Sequence, residues 1–319
     1  MHKIVILDGY TINPGDLSWD GVSKMGALTA YDRTPKDKVV ERIGDADIVM
    51  TSKCVLDAKV FDACPGIRYI GELATGYNNI DVAEARKRGI DVTNIPAYST
   101  DSVVQMVFAL LLEAVEHVGL HDGAVHAGEW TASPDFAFWK APLTELAGKT
   151  MGIVGFGRIG QSVARVARAF GLNVLAYGPR YKPEMDENGC RAATLDELFE
   201  SSDIISLNCP LFPETARLIR RENIDRMKTG VIIVNTSRGG VVDEADVRAA
   251  LVSGKIGAFC ADVVAVEPIP ADSPLLDAPN TILTPHIAWA PKEARMRLMA
   301  ICEKNLAAWL DGSPVNMVN

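Results

Sequence analysis

The segment GKTMGIVGFGRIG, residues 148–160, decides the fold of the second half of this chain. Its apolar run at 151–154 predicts a β-strand, and the residues after it place their apolar side chains on one face of a helix. Between strand and helix, Gly155 permits a tight turn, Gly157 lets the backbone approach a pyrophosphate and Gly160 allows close packing. A G-x-G-x-x-G turn alone is a weak signal, but in this setting it predicts a dinucleotide-binding unit.

The second strand of this unit lacks the acidic residue expected at its end. The run 173–177 is followed by Gly178, Pro179 and Arg180. A carboxylate here would bind the 2′-hydroxyl of the adenosine ribose and repel a 2′-phosphate. Gly178 removes that repulsion, and Arg180 can pair with a phosphate unless it is simply a solvated side chain. The sequence therefore leaves both NAD(H) and NADP(H) open as cofactors, with poor discrimination expected.

Three polar residues follow later predicted strands, and ligands of open α/β sheets lie at the carboxyl ends of strands. Arg238 follows the run 231–235, and a guanidinium can hold a carboxylate through two parallel hydrogen bonds. His286 follows 281–283, and an imidazole oriented by Glu267 can donate a proton to a carbonyl oxygen. We therefore predict a catalytic set for reducing a 2-keto acid. Taken alone, the arginine would more simply form a surface ion pair. The glutamate, taken alone, would more simply be a solvated acid in a turn.

Composition excludes several other classes of protein. The chain has 319 residues, 48% hydrophobic and 23% charged, with a net charge of −9. An acidic chain without a basic stripe argues against nucleic-acid binding. The apolar stretch at 107–112 is too short to span a bilayer, and 4–7 is a first strand rather than a signal peptide. The six cysteines form no CxxC pair, so we predict free thiols, no metal site and a cytoplasmic protein.

The rest of the chain alternates predicted strands and helices, which is typical of parallel sheets covered on both faces. A long apolar helix is predicted from Asp101 to Val118 and a final amphipathic helix from Pro291 to Leu310. Residues 119–142 lack such periodicity and carry four large aromatic side chains. That segment either packs on its own chain or forms a subunit contact; we expect the second, because aromatic residues concentrate in interfaces.

Five segments together resemble the D-2-hydroxyacid dehydrogenase family, in family order and over nearly the whole chain. They are LATGYNNIDV (73–82), GKTMGIVGFGRIG (148–160), NTSRGGVVDE (235–244), DVVAVEP (262–268) and TPHIAW (284–289). Within the family, LDGYTINPGDLSWD (7–20) and Trp289 are most similar to glycerate dehydrogenases, also called hydroxypyruvate reductases. The absence of the family's usual aspartate at position 178 leaves the cofactor preference open.

The resemblance implies roles for individual residues. Arg238, Glu267 and His286 match the catalytic residues, and Asp262 matches the residue that holds the nicotinamide amide. The implied substrate contacts are Ala74, Thr75, Gly76, Arg238, His286 and Trp289, the first three through backbone N–H groups. The implied cofactor contacts are Gly155, Gly157, Arg158, Ile159, Gly160, Arg180, Cys209, Pro210, Thr236, Ser237, Arg238, Asp262, His286 and Ala288.

The resemblance also implies a discontinuous α/β fold with two doubly wound parallel sheets. A Rossmann nucleotide-binding domain, residues 100–287, is inserted in a flavodoxin-like substrate domain formed by 1–99 and 288–319. Periodicity alone would have split the two units in sequence. Family members are commonly homodimers, so a homodimer is expected.

The expected reaction is NAD(P)H-dependent reduction of a small 2-keto acid, hydroxypyruvate or glyoxylate, to the D-2-hydroxy acid. One alternative is a broad 2-ketoacid reductase similar to D-lactate dehydrogenases. Another is a dinucleotide-sensing binding protein similar to transcriptional corepressors, which the lack of basic extensions disfavours.

Overall fold

The computed structural model describes residues 1–178 and 189–319 and divides the chain into two compact units. The first unit contains Met1–Ser99 and Trp289–Asn319, and the second contains Thr100–Ala288. The chain therefore returns to the first unit after Ala288, one residue later than expected. Arg180 lies outside the described residues, and so does its expected contact with the cofactor.

The first unit is built on a parallel sheet in the order β2-β1-β3-β4-β5. This is the flavodoxin-like order that we predicted. The second strand was missed, because it lies at the sheet edge and is mostly exposed, so it carries no apolar run. The strands are β1 Lys3–Ile6, β2 Ala27–Ala30, β3 Ile48–Thr51, β4 Tyr69–Glu72 and β5 Asp91–Thr93.

Helices cover both faces of this sheet. Asp57 and Asp81 begin two of them, since each aspartate accepts hydrogen bonds from backbone N–H groups of the first turn. The long C-terminal helix packs through Leu298, Cys302 and Leu306 on the face that holds Tyr69. The helices are α1 Asp20–Ser23, α2 Val39–Ile43, α3 Ala58–Ala63, α4 Val82–Lys87 and α11 Lys292–Leu310.

The second unit is built on a parallel sheet in the order β12-β11-β10-β9-β6-β7-β8. Renumbered from its first strand, this is the order 3-2-1-4-5-6 of a Rossmann fold with one strand added, as predicted. The strand order reverses between β6 and β9, beside the glycine turn. The strands are β6 Thr150–Val154, β7 Asn173–Tyr177, β8 Arg191–Ala192, β9 Ile204–Leu207, β10 Val231–Asn235, β11 Ile256–Ala261 and β12 Thr281–Leu283.

The helix predicted from Asp101 to Val118 was wrong at its C-terminal end. It stops at Glu116, because His117 adopts a left-handed conformation with φ of 51° and a second helix starts at Val118. The Glu113 carboxylate accepts from the backbone N–H of Gly119, which stabilises the bend. The helices of the second unit are α5 Thr100–Glu116, α6 Val118–His126, α7 Arg158–Ala169, α8 Leu195–Ser201, α9 Arg221–Ile224 and α10 Glu244–Val252.

Within the described residues, no single helix is long and apolar enough to cross a membrane. Among the same residues, one pair of helices, α5 and α6, reaches the length and apolar composition of a membrane span when taken together, but the pair is bent by 58° at its junction.

Candidate active site

The three motif glycines of the second unit occupy different surroundings. A side chain at Gly155, where φ is 96°, would lie 2.5 Å from the Asn208 carbonyl oxygen, and one at Gly160 would lie 2.1 Å from the Gly155 carbonyl oxygen. Packing therefore requires these two glycines. A side chain at Gly157 would meet no described atom within 4 Å, so its open space is free for a ligand.

Helix α7 begins beside that open space. Gly157 is its N-cap, and no side chain caps the first turn. The N–H groups of Arg158 and Ile159 therefore belong to an uncapped helix N-terminus, which favours phosphate through free donors and a partial positive charge.

Two buried polar atoms lack partners at the same edge of the sheet. Asn208 and Thr236 directly follow β9 and β10, and within the described ranges neither Asn208 Oδ1 nor Thr236 Oγ1 has a hydrogen-bond partner. A buried polar group without a hydrogen bond destabilises the protein by about 1–3 kcal/mol. A polar ligand that bonds to these two atoms would remove that destabilisation. The glycine turn, the uncapped helix and these two atoms fit a dinucleotide. Asn208 was missed, although its place after a strand was a usable signal.

The remaining positions predicted to contact the cofactor in this region follow the ends of β9 and β7. Cys209 is buried and Pro210 is exposed after β9. Burial raises the pKa of the Cys209 thiol to about 11, so it is neutral near physiological pH. At the end of β7, a side chain on Gly178 would lie 3.2 Å from the Phe156 backbone nitrogen, so an acid there would sit against the glycine turn.

Arg238 lies in a turn that a buried asparagine holds. Asn235 Oδ1 accepts from the Ser237 backbone N–H at 3.0 Å and from its hydroxyl at 2.8 Å, while Asn235 Nδ2 donates to the Arg238 carbonyl at 3.0 Å. Arg238 is half-buried, and its guanidinium donates to the Ser237 carbonyl at 2.7 Å; no described carboxylate forms an ion pair with it. It is therefore available for an anion.

His286 and Glu267 form a pair at the ends of β12 and β11. Nδ1 of His286 lies 2.7 Å from Glu267 Oε2, with the two side chains 28% and 35% exposed. The other carboxylate oxygen of Glu267 accepts from the Val264 backbone N–H at 3.3 Å, which helps to orient the acid. Nε2 of His286 has no hydrogen-bond partner among the described residues, so the accessible ring nitrogen is the one that can exchange a proton with a ligand.

A buried aspartate holds the loop that carries His286. Asp262 accepts from the Thr284 hydroxyl at 2.6 Å and from the backbone N–H groups of Ile287 and Ala288 at 2.9 and 2.8 Å. The Asp262 carbonyl also accepts from the His286 N–H at 2.8 Å, which stabilises the left-handed conformation of His286, φ 57°. This scaffolding role was not anticipated, and the expected contact with a nicotinamide amide stays a prediction.

In the first unit, the predicted substrate residues form a loop after β4. The Ala74 carbonyl accepts from the Ile95 N–H at 3.0 Å, and the Thr75 carbonyl accepts from Asn94 Nδ2 at 2.7 Å. In a trans peptide, the N–H group of the next residue points away from the carbonyl that precedes it. Accordingly, no oxygen in the described residues accepts from the N–H groups of Thr75 or Gly76. Successive free N–H groups of this kind bind anions.

Trp289 begins the second segment of the first unit. It is half-buried, and its ring lies 6.5 Å from that of Tyr98 in an edge-to-face arrangement. Its predicted role as a substrate contact stays a prediction. In the described part of the chain, no group of three or more His, Cys, Asp or Glu residues is arranged to hold a metal ion.

Known proteins match this chain over most of its length. The model of the NAD-binding domain of D-isomer-specific 2-hydroxyacid dehydrogenases matches residues 108–288. A hydroxypyruvate reductase from Blautia hydrogenotrophica is 54% identical over 320 residues, which cover 99% of each chain.

Solved structures share the fold of the chain. The D-lactate dehydrogenase of Aquifex aeolicus, complexed with NAD and lactic acid, gives a TM-score of 0.83 at 28% identity, covering 98% of this chain and 96% of that one. An acyclic imino acid reductase in complex with NADPH and D-Arg gives a TM-score of 0.85 at 27% identity, covering 99% of this chain and 100% of that one. With the family model matched across the second unit and a relative aligned from end to end, this chain belongs to the D-isomer-specific 2-hydroxyacid dehydrogenase family.

Proposed function

We propose that this protein reduces a small 2-keto acid, hydroxypyruvate or glyoxylate, to the D-2-hydroxy acid with NADH or NADPH. The observation that carries the proposal is the pair of His286 and Glu267, 2.7 Å apart, with Nε2 of the imidazole left free among the described residues. An imidazole held by a carboxylate on one nitrogen and open on the other is suited to donate a proton.

The chain's own residues divide the work around the reacting carbonyl. A bound reduced nicotinamide would supply the hydride. His286 donates a proton from Nε2 to the carbonyl oxygen, and Glu267 stabilises the imidazolium before transfer and fixes the orientation of its ring. Arg238 binds the substrate carboxylate, since its guanidinium has no carboxylate partner among the described residues.

The family resemblance implies a second set of donors for the substrate carboxylate, in the loop after β4. The free N–H groups of Thr75 and Gly76 receive it, while the carbonyls of Ala74 and Thr75 remain tied to residues 94–95. Fixing the carboxylate fixes the neighbouring carbonyl carbon, which a reduction requires.

The relatives support this choice of keto acid. The hydroxypyruvate reductase shares 54% of its residues with this chain, whereas the D-lactate dehydrogenase shares 28%. The higher identity to the hydroxypyruvate reductase favours hydroxypyruvate over pyruvate as the substrate. A broad 2-ketoacid reductase is the second candidate, and a corepressor-like dinucleotide sensor is the third.

Surface chemistry supports a homodimer in the cytoplasm. Helix α6 and the segment after it expose large apolar side chains, with Phe136 93% and Trp139 71% exposed, and Val118, Leu120 and Trp130 also exposed. A second copy of the chain would bury this surface. Within the described residues, none of the six cysteines forms a disulfide, which suits a reducing compartment.

A substrate panel tests the proposed function. Hydroxypyruvate, glyoxylate and pyruvate are each offered with NADH and with NADPH, and cofactor oxidation is followed. We expect the highest kcat/KM with hydroxypyruvate or glyoxylate, and a kcat about 10²–10⁴-fold lower in His286→Asn. Preference for pyruvate would favour the broad reductase, and binding of cofactor without turnover of any keto acid would favour the sensor.

A further inference from the structure

One buried acid has no part in the proposed chemistry. Glu72 is the last residue of β4 and is 0% exposed. It lies two residues after Ile70 and so shares its face of the sheet, where Leu7, Leu56 and Ile80 form an apolar cluster. A carboxyl group in such surroundings is costly to ionise and is retained in a core only with specific partners.

Glu72 contacts the far end of the loop that starts immediately after it. Its Oε2 accepts from Asn79 Nδ2 at 3.0 Å, and the same nitrogen donates to the Cys54 carbonyl at 3.1 Å. The Asn79 carbonyl accepts from the Leu56 N–H at 2.9 Å. Glu72 and Asn79 therefore close the loop 73–79 at its base, and this loop carries the free N–H groups of Thr75 and Gly76.

The charges around Glu72 oppose its ionisation. Asp8, after β1, is a carboxylate that the N–H groups of Ser52 and Lys53 stabilise at 2.8 and 2.7 Å. Burial, and then the charge of Asp8, raise the pKa of Glu72 to about 9, against the hydrogen bond from Asn79 and the charge of Lys53. Burial also raises the pKa of the nearby Cys54 thiol to about 12. Near neutral pH, Glu72 is therefore a neutral acid and Cys54 a neutral thiol.

Within the described residues, the other oxygen of Glu72, Oε1, is buried and has no partner. A neutral carboxyl tolerates this position far better than a carboxylate would, because an unpaired buried charge costs much more than an unpaired neutral group.

We propose that Glu72 is a positioning residue that must stay protonated to hold the loop 73–79 in the conformation that receives the substrate carboxylate. The inference rests on the proposed function, because it takes this loop as part of the keto-acid site. When Glu72 ionises, its buried carboxylate adds a second negative charge near the half-buried Asp8, and it draws water or Lys53 towards the base of the loop. Affinity for the anionic substrate then falls, while the proton donor His286 is untouched.

The test compares KM of the wild type and Glu72→Gln for the 2-keto acid that the wild type reduces best. Glutamine keeps the shape and the acceptor for Asn79 and cannot ionise. The ratio of wild-type KM to variant KM should be near 1 at about pH 7 and rise to about 10 at about pH 10, because only about one molecule in ten then keeps the proton. All other titrations are shared by the two proteins and cancel in the ratio, and the kcat ratio should stay flat.

A matched control and a second variant complete the test. Glu84→Gln removes a half-buried acid of the same unit and should leave a flat KM ratio at all pH values. Asn79→Leu breaks the contact to Glu72 and should raise KM at about pH 7 without a matching loss of kcat. A KM ratio for Glu72→Gln that does not change with pH would overturn the proposal.

Infrared spectroscopy tests the protonation independently of turnover. The wild type at about pH 7 should show the C=O stretch of a buried carboxylic acid, absent from Glu72→Gln and lost from the wild type at about pH 10. Its absence at neutral pH would also overturn the proposal. If this band is present but no 2-keto acid is reduced, it is the proposed function that fails.

Discussion

At the scale of single residues, the account depends on one free nitrogen atom. His286 presents Nε2 because Glu267 holds Nδ1, and because Asp262 accepts from the backbone N–H groups of His286 and Ile287. The histidine was predicted from its place after a strand and a proline. The left-handed conformation of His286 and the role of Asp262 could not be predicted, because both depend on hydrogen bonds between segments distant in sequence.

Replacing His286, the proposed proton donor, should slow the reaction strongly without damaging the fold. His286→Asn is the suitable change, because asparagine tolerates the left-handed conformation better than most residues. We expect kcat to fall about 10²–10⁴-fold, with cofactor affinity unchanged. Glu267→Gln should cost less, since Nε2 remains in place. Steady-state rates and cofactor titrations check both, and an asparagine variant with wild-type kcat would rule out His286 as the donor.

The cofactor preference should respond to position 178. Gly178→Asp should shift preference towards NADH, because a carboxylate binds the 2′-hydroxyl and repels a 2′-phosphate. Its side chain would pack beside the Phe156 backbone, so we expect some loss of stability as well. Arg180→Ala should weaken NADPH more than NADH. The measurement is kcat/KM with both cofactors; equal effects on the two would show that Arg180 does not read the phosphate.

Glu72 should make stability fall with rising pH. An unfolded glutamate ionises near its ordinary pKa of 4.5, whereas the folded pKa of Glu72 is about 9, so between these values unfolding releases a proton. The free energy of unfolding should therefore decrease by on the order of 1 kcal/mol per pH unit across this window. Glu72→Gln removes this term, so its Tm should exceed that of the wild type by a margin that widens from about pH 5 to about pH 8. A constant margin would contradict the raised pKa.

At the scale of elements, the glycines of the turn before α7 have two different roles. Gly155 and Gly160 are required by close packing, whereas Gly157 lies beside open space. A side chain at Gly160 would lie 2.1 Å from the Gly155 carbonyl oxygen, whereas one at Gly157 meets no described atom within 4 Å. The motif itself was predicted from sequence, because its meaning depends only on a strand before it and a helix after it. The bend at His117 was not, because it depends on the Glu113 carboxylate accepting from the N–H of Gly119.

This difference predicts opposite behaviour for two similar variants. Gly160→Ala should lower Tm, because the helix must move away from the strand. Gly157→Ala should keep the wild-type Tm and bind cofactor more weakly, because its methyl group fills the space offered to the phosphates. Thermal unfolding without ligand and cofactor titration separate the two effects. Unchanged cofactor affinity in Gly157→Ala would place the phosphates elsewhere.

At the scale of the whole molecule, family resemblance predicted what periodicity could not. Alternating strands and helices indicate two α/β units, but they give no sign that residues 289–319 return to the first one. That return is made by α11, whose apolar side chains Leu298 and Leu306 complete the cluster around Tyr69. A helix pattern shows that a face must be buried without showing which sheet will bury it.

The stereochemistry of the product tests the central claim most directly. Wild-type protein is mixed with hydroxypyruvate and NADH, and the glycerate formed is measured with enzymes specific for each enantiomer. The account predicts one D-glycerate for each NADH oxidised, because the chain belongs to a D-isomer-specific family and the proposed roles of Arg238 and His286 fix the orientation of the carbonyl. L-glycerate, or no oxidation of NADH or NADPH with hydroxypyruvate or glyoxylate, would contradict it.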